Sequence, residues 1–321
     1  MLTEIFIFIA GLAILSWSAD RFILGASALA RNLGIAPLVI GMTIVAMGSS
    51  APEIMVAFNA SLAGSADTAI GNAIGSNIAN IGLVLGLTAL LRPLVVSSVT
   101  LKREMPVVML VSLLAAWLLA DLSLSRYEGG ALLVLFFFSI GALVWLSLRM
   151  DAKDPLVREM TGEIPQGLPT PSAVFWLLLG LVLLPLSAHF MVESATSLAR
   201  YFGVSDLVIG LTIIAVGTSL PELAACIAGV MKGEDDLALG NILGSNIFNI
   251  LAVLSMPGLL APGAIDPQAT YRDMPVMLAM TLLLILFSFA IRGRQRLERW
   301  QGGLLLTSFI AYQTTLFQHQ V

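Results

Sequence analysis

The sequence predicts an all-α polytopic membrane protein of about ten transmembrane helices, built as two inverted five-helix repeats whose helices break at an ion site. Three observations carry that prediction. The 321 residues are 58% hydrophobic and only 11% charged, with a mean hydropathy of +0.95, and their apolar runs repeatedly reach the length that crosses a hydrocarbon core. A shift of 169 positions lays 41–87 over 210–256 without a gap and matches about 21 of 47 residues, including glycines, prolines and polar residues that chance similarity of apolar helices would not pair. Each copy also carries one glutamate, Glu53 or Glu222, directly behind a proline inside an apolar run.

In chain order the spans are expected at roughly 3–31, 36–62, 68–91, 104–120 and 128–149, then 172–200, 205–231, 237–260, 273–291 and 301–317. These runs are continuous and rich in Leu, Ala, Ile and Gly, which argues against the short alternating strands of a β-barrel. The first begins with Glu4 rather than a basic region, so it reads as a retained span and not a cleaved signal peptide. The one long polar connection runs from Arg149 to Pro171 and holds Asp151, Lys153, Asp154, Arg158, Glu159 and Glu163. It divides the chain into a first repeat at 1–149 with its motif at 36–91, a linker at 150–171, and a second repeat at 172–321 with its motif at 205–260. Five spans per repeat is an odd number, so the second repeat must enter the membrane in the opposite sense. The same shift brings Ser18-Ala19 onto Ser187-Ala188 and Arg103-Glu104-Met105-Pro106 onto Arg272-Asp273-Met274-Pro275, so duplication covers most of each half.

Basic residues set the orientation. One group of connections holds Arg31, Arg92, Lys102, Arg103, Arg149, Lys153, Arg158, Lys232, Arg292, Arg294, Arg296 and Arg299, while the other holds Arg126, Arg200 and Arg272. The positive-inside rule makes the first group cytoplasmic, places the 150–171 linker with it and puts both termini outside, in a plasma or inner membrane. The net charge of −4 gives no support to a nucleic-acid partner. The single cysteine, Cys226, permits no disulfide within one chain, and no cofactor is expected. The lipid bilayer is the one macroscopic partner, and the oligomeric state is left open.

The chemistry gathers at Gly41-Met-Thr-Ile-Val-Ala-Met-Gly-Ser-Ser-Ala-Pro-Glu53 and its echo Gly210-Leu-Thr-Ile-Ile-Ala-Val-Gly-Thr-Ser-Leu-Pro-Glu222. An ionisable group inside a membrane span is costly, and its default reading is functional. Pro52 has no N–H for the carbonyl of Gly48, nor Pro221 for that of Gly217, so both helices should break and leave backbone oxygens free. Carbonyls, hydroxyls and a carboxylate together make a hard-cation site. Downstream, Asn72, Ser76 and Asn80 share one helix face, as do Asn241, Ser245 and Asn249. Gly71 and Gly75, like Gly240 and Gly244, form the small-xxx-small pattern that lets a neighbouring helix approach. Isolated polar residues in a span usually just hold helices together, but two copies of a three-residue stripe beside a broken helix point to an ion path.

Other polar residues carry weaker expectations. Asp67 and Asp236 precede apolar helices and read as N-caps. Asp20, Arg21, His189 and Glu193 lie in the first spans of the two halves, are not duplicated, and carry a minor expectation of a gating or proton-linked role. Arg103-Glu104 and Arg272-Asp273 read as interface anchors, and the methionines of 274–280 as packing.

The paired segments resemble the alpha repeats of the calcium/cation antiporter superfamily, which includes the sodium/calcium exchangers and their prokaryotic relatives. G-T-S-L-P-E with G-N-I-L-G-S-N-I-F-N in the second half, and G-S-S-A-P-E with G-N-A-I-G-S-N-I-A-N in the first, carry the likeness, which spans nearly the whole chain. The resemblance implies that Glu53 and Glu222 are the central carboxylates. It implies hydroxyl ligands from Ser49, Ser50, Ser76, Thr218, Ser219 and Ser245, backbone carbonyls from Ala46 and Ala215, and side-chain oxygens from Asn80 and Asn249. Asparagine at both of the last positions, where potassium-dependent relatives have an acid, argues against potassium use. Gly75 and Gly244 stand where proton-coupled relatives have the glutamate of G-N-x-x-E, which favours sodium coupling. Two glutamates would balance the charge of one calcium ion, sodium uses the same oxygen chemistry, and neither Cys nor His occurs in the quoted stretches to favour softer metals.

The expected function is exchange of sodium for calcium by alternating access, with 36–91 and 205–260 holding the ion while spans 3–31 and 172–200 move across them. Exchange of calcium or another divalent ion for protons is the alternative. An intramembrane hydrolase with an acid dyad is a remote third, since both acids are glutamates behind prolines and no G-x-G-D motif is present.

Overall fold

The computed structural model describes residues 2–35, 37–97, 100–149, 168–201, 215–289 and 295–318. Helix α1 (Leu2–Asn32) is followed by the bent pair α2 (Gly41–Ser49) and α3 (Ala51–Leu62), then α4 (Ala66–Leu91), α5 (Thr100–Asp121) and α6 (Arg126–Arg149). The second half holds α7 (Thr170–Tyr201), the short α8 (Ala215–Thr218) and α9 (Leu220–Met231), α10 (Asp235–Leu260), α11 (Ala269–Ser288) and α12 (Arg299–Gln318). Among the described residues, six helices are long and apolar enough to cross a membrane, and the bent pair makes a seventh. The other three expected spans contain α6, α9 and α12, with the first part of 205–231 and most of the 150–171 linker lying outside the described residues.

The expected breaks are present. Helix α2 ends at Ser50 (φ −84°, ψ 12°), α3 begins again at Ala51-Pro52, and the two segments are bent by 55°. In the second half the break falls at Ser219 (φ −89°, ψ 4°), with Pro221 in the first turn of α9. Proline suits a first turn, because the N–H it lacks would have no intrahelical acceptor there.

Two-residue strands tie the halves together. β1 (Leu94–Val95) pairs antiparallel with β4 (Arg296–Leu297), and β2 (Ser123–Leu124) with β3 (Gly263–Ala264). β1 precedes α5 and β2 follows it, so the two clasps lie at opposite ends of that helix. Each clasp gathers other loops. At the first, Arg92 donates to the carbonyl of Val230, Arg299 donates to that of Leu91, and Asp235 accepts from the amide of Val95 at 2.9 Å. At the second, Asp67 accepts from the amide of Asp266 at 2.8 Å and Thr270 donates to the carbonyl of Leu119.

These contacts correct the N-cap expectation. The cap positions are Ser65 and Glu234, neither of which makes a side-chain cap bond, and Asp67 and Asp236 lie inside the first turns of α4 and α10. Asp67 spends its carboxylate on the other half of the chain, and Asp236 lies near Ser97 of the first half. Tertiary partners have displaced the local cap.

Two cores result. One joins α4, α5, α6, α10, α11 and α12 around Ile70, Ile74, Leu85, Leu243 and Met277. The other joins α1 and α7, packed along each other through Phe22, Ile23 and Ala26 against Ala173, Leu177 and Leu184. Arg21 of α1 lies over the ring of Trp176 on α7 at 5.2 Å, a cation–π contact that ties the two helices.

Candidate cation site

The broken helices and the two polar-striped helices meet at the centre of the molecule. Close approach is permitted by glycine. A Cβ added at Gly244 on α10 would come within 2.5 Å of the Cα and carbonyl oxygen of Met42, and one at Gly41 within 2.6 Å of the carbonyl of Leu237. Backbones that near seat α2 directly on α10, as the Gly240/Gly244 pattern predicted. The segment that the repeat sets opposite Gly75, 202–214, lies outside the described residues.

Glu53 and Glu222 are both fully buried, and each stands in the first turn of its resumed helix. Their charges are near enough to interact, and Ser50 bridges the halves by donating to Glu222 Oε1 at 3.0 Å. The Ser50 hydroxyl also lies 2.9 Å from that of Ser245. Ser49 donates to Asn241 Oδ1 at 3.0 Å and sits 3.4 Å from the carbonyl of Ala46. Asn72 Nδ2 donates to the backbone carbonyl of Glu53 at 3.0 Å. Ser76 is buried on the same helix, and Thr218 ends α8 at the wall of a cavity of about 700 Å³. At the breaks the backbones differ: Ser50 N–H reaches Ala46 O four residues back, while Ser219 N–H turns to Val216 O rather than Ala215 O.

The acceptors left over define the site. Among the described residues, Glu53 Oε1 and Oε2, Glu222 Oε2, Asn80 Oδ1, Asn249 Oδ1 and the Ser219 hydroxyl are buried with no hydrogen-bond partner. Among the described residues, no Lys, Arg or His pairs with either glutamate. Two carboxylates in a dry interior without a positive partner are costly to keep charged, and a bound cation or protons can neutralise them. Six oxygens, two carboxylates among them, match the number and hardness that calcium takes and serve sodium equally.

Of the twelve sequence-predicted residues, Ser50 and Ser245 join Glu222 across the halves with Glu53 near it, Ser49 bonds Asn241, Asn80, Asn249 and Ser219 carry buried free oxygens among the described residues, and Ser76, Thr218, Ala46 and Ala215 lie on the helices beside them. Sequence reasoning missed Asn77 and Asn246. They stand three residues before Asn80 and Asn249, off the four-residue stripe, and they hold the amides of the opposite half: Asn80 Nδ2 donates to Asn246 Oδ1 at 3.1 Å, and Asn249 Nδ2 to Asn77 Oδ1 at 3.1 Å. Their signal was their occurrence at the same place in both copies. Also unforeseen are π-helical turns at Asn80–Leu85 and Asn249–Val253, each opened by a site asparagine. Such turns cluster at functional sites.

Comparison with known proteins agrees with this geometry. The sodium/calcium exchanger protein family matches residues 3–145 and 172–318. The chain belongs to the sodium/calcium exchanger family. CaxA of Alkalimonas amylolytica is 54% identical to it, covering 99% of each chain. The inner membrane protein YrbG of Escherichia coli is 46% identical, covering 99% of this chain and 98% of YrbG. The solved structure of the sodium-calcium exchanger NCX_Mj soaked with sodium and calcium is similar at a TM-score of 0.84 and 33% identity, covering 98% of this chain and 99% of that one. The chain is a membrane cation antiporter of this exchanger family and not an enzyme.

Proposed function

We propose that the protein exchanges sodium for calcium by alternating access across a plasma or inner membrane, with Glu53 and Glu222 as the charges that hold the ion. The observation that carries this reading is the set of six buried, unpartnered oxygens contributed by both halves. Glu53, Asn80, Glu222, Ser219 and Asn249 form the inner ligands; Ser49, Ser50, Ser76, Thr218, Ser245 and the carbonyls of Ala46 and Ala215 complete the path. One calcium ion balances the two carboxylates, and sodium ions entering the same oxygens displace it, which couples the two fluxes. NCX_Mj, a sodium-calcium exchanger by name, supports the choice of ions.

The ten helices form two inverted repeats, 1–149 and 172–321. Support comes from the clasps: β1 and β3 hold equivalent places in the two repeats, yet lie at opposite ends of α5. The clasp that gathers Arg92, Lys232 and Arg299 with their loops faces the cytoplasm together with the 150–171 linker, and both termini lie outside. The cavity of about 700 Å³ between α3, α7 and α8, lined by Pro52, Met55, Asn59, Pro185, His189 and Thr218, then reaches the site from the outer half.

The test is flux in proteoliposomes. Calcium uptake should follow an imposed sodium gradient and ignore a pH gradient at fixed membrane potential. Uptake driven by the pH gradient alone would replace sodium with protons as the coupling ion.

A further inference from the structure

We infer that Asn77 and Asn246 are positioning residues that decide which end of the Asn249 and Asn80 amides faces the ion, and that Asn77 holds its partner more firmly. This rests on the reading of the central oxygens as an ion site. A side-chain amide presents an acceptor oxygen at one end and two donors at the other, in nearly the same shape. Turned one way it binds a cation, and turned the other way it repels one.

The hydrogen bonds fix the direction in one half. The backbone carbonyl of Asn246 can only accept, and Asn77 Nδ2 donates to it at 3.2 Å while also lying 3.6 Å from Met277 Sδ. Asn77 must therefore direct Oδ1 to the other side, where it accepts from Asn249 Nδ2 at 3.1 Å. That bond commits the Asn249 NH2, so the Asn249 oxygen, buried and unpartnered, is the end presented to the site.

The other half lacks this lock. Asn246 Oδ1 accepts from Asn80 Nδ2 at 3.1 Å, but Asn246 Nδ2 is buried without a partner. Turning the Asn246 and Asn80 amides together would preserve the bond between them and replace the Asn80 oxygen with its NH2. Asn249 is a fixed acceptor, whereas Asn80 is one joint rotation from becoming a donor. Cation binding selects the oxygen-inward state of Asn80, and an empty site releases it.

The test measures calcium uptake against calcium concentration in proteoliposomes holding the full chain, for the wild type, Asn77→Leu, Asn77→Ser, Asn77→Asp, Asn246→Leu and Glu53→Gln. Leucine offers no acceptor and serine is too short to reach both partners, so each should raise the half-saturating calcium concentration about tenfold, the equivalent of one lost amide contact. Asn77→Asp keeps an oxygen facing Asn249 but sets a second acceptor against the Asn246 carbonyl, so it should shift half-saturation less than Asn77→Leu. Asn246→Leu should have a smaller effect than Asn77→Leu. Wild-type half-saturation in whichever of the leucine and serine variants folds, or a larger effect of Asn246→Leu, overturns the inference. A reduced maximal rate at unchanged half-saturation would mark a merely structural role and also overturn it. If Glu53→Gln transports normally, the ion-site reading itself fails; if it is inactive while the Asn77 variants bind normally, only this inference fails.

Discussion

Helices α4 and α10 carry almost the same motif, G-N-x-x-G-S-N-I-x-N, yet they sit in different surroundings. The most apolar stretch of α10 is buried throughout, against 72% of that of α4. Gly71 is exposed and Asn72 and Gly75 are half-buried, while Gly240, Asn241 and Gly244 are buried. The described neighbours of the two copies differ: α2 lies against Gly240 and Gly244, its counterpart 202–214 lies outside the described residues, and the loops beside the two copies make different ties. Lys232, at the end of α9, pairs with Asp20 of α1 at 2.7 Å, and Ser27 of α1 bonds Glu234 in the same loop. The equivalent places in the first motif and α7 are Ala63 with His189 and Ser65 with Thr196, which hold no ion pair. Among the described residues, the tether between Asp20 and Lys232 has no equivalent ion pair at Ala63 and His189.

The sharpest way to break the comparison is to remove the charges both copies share. Glu53→Gln and Glu222→Gln should each reduce sodium-driven calcium uptake to the level of empty vesicles, although Glu222 alone spends an oxygen on Ser50. Retained flux in either would mean that one copy suffices. Next in size is the packing contrast. Gly244→Ala drives a methyl into the backbone of Met42 and should destabilise the protein by ~1–3 kcal/mol in thermal unfolding. An unchanged melting temperature would remove the close contact between α2 and α10 from the account. Backbone hydrogen exchange should then show the first turns of α4 exchanging faster than those of α10, since the latter are buried. Smallest is the tether. Lys232→Ala removes a half-exposed ion pair, and such pairs contribute roughly 0.2–1 kcal/mol, so exchange in the first turns of α10 should rise roughly twofold to fivefold without loss of transport.

Much of this arrangement was legible in the sequence, and the reasons are physical. Pro52 and Pro221 break helices whatever surrounds them, so the bends could be placed from local chemistry. Buried glutamates in apolar runs and glycines at four-residue spacing likewise announce an ion and a close helix contact. Asp67 was misread because N-capping is a local preference, and the amide of Asp266, 199 residues away, offered a stronger partner. Asn77 and Asn246 escaped notice because the four-residue stripe selects ligands, while these side chains face the opposite half and act through other amides. The Asp20–Lys232 pair was not legible, because the repeat sets His189 and Ala63 at the equivalent places and the partners lie far apart in the chain.

The central claim is that Glu53 and Glu222 share one calcium ion that sodium displaces. Calorimetric titration of the purified chain tests it most directly. Calcium should bind at one ion per chain, lose affinity as sodium is added, and fail to bind to either Glu53→Gln or Glu222→Gln. Calcium binding that persists in both variants, or that sodium leaves unchanged, would contradict the account.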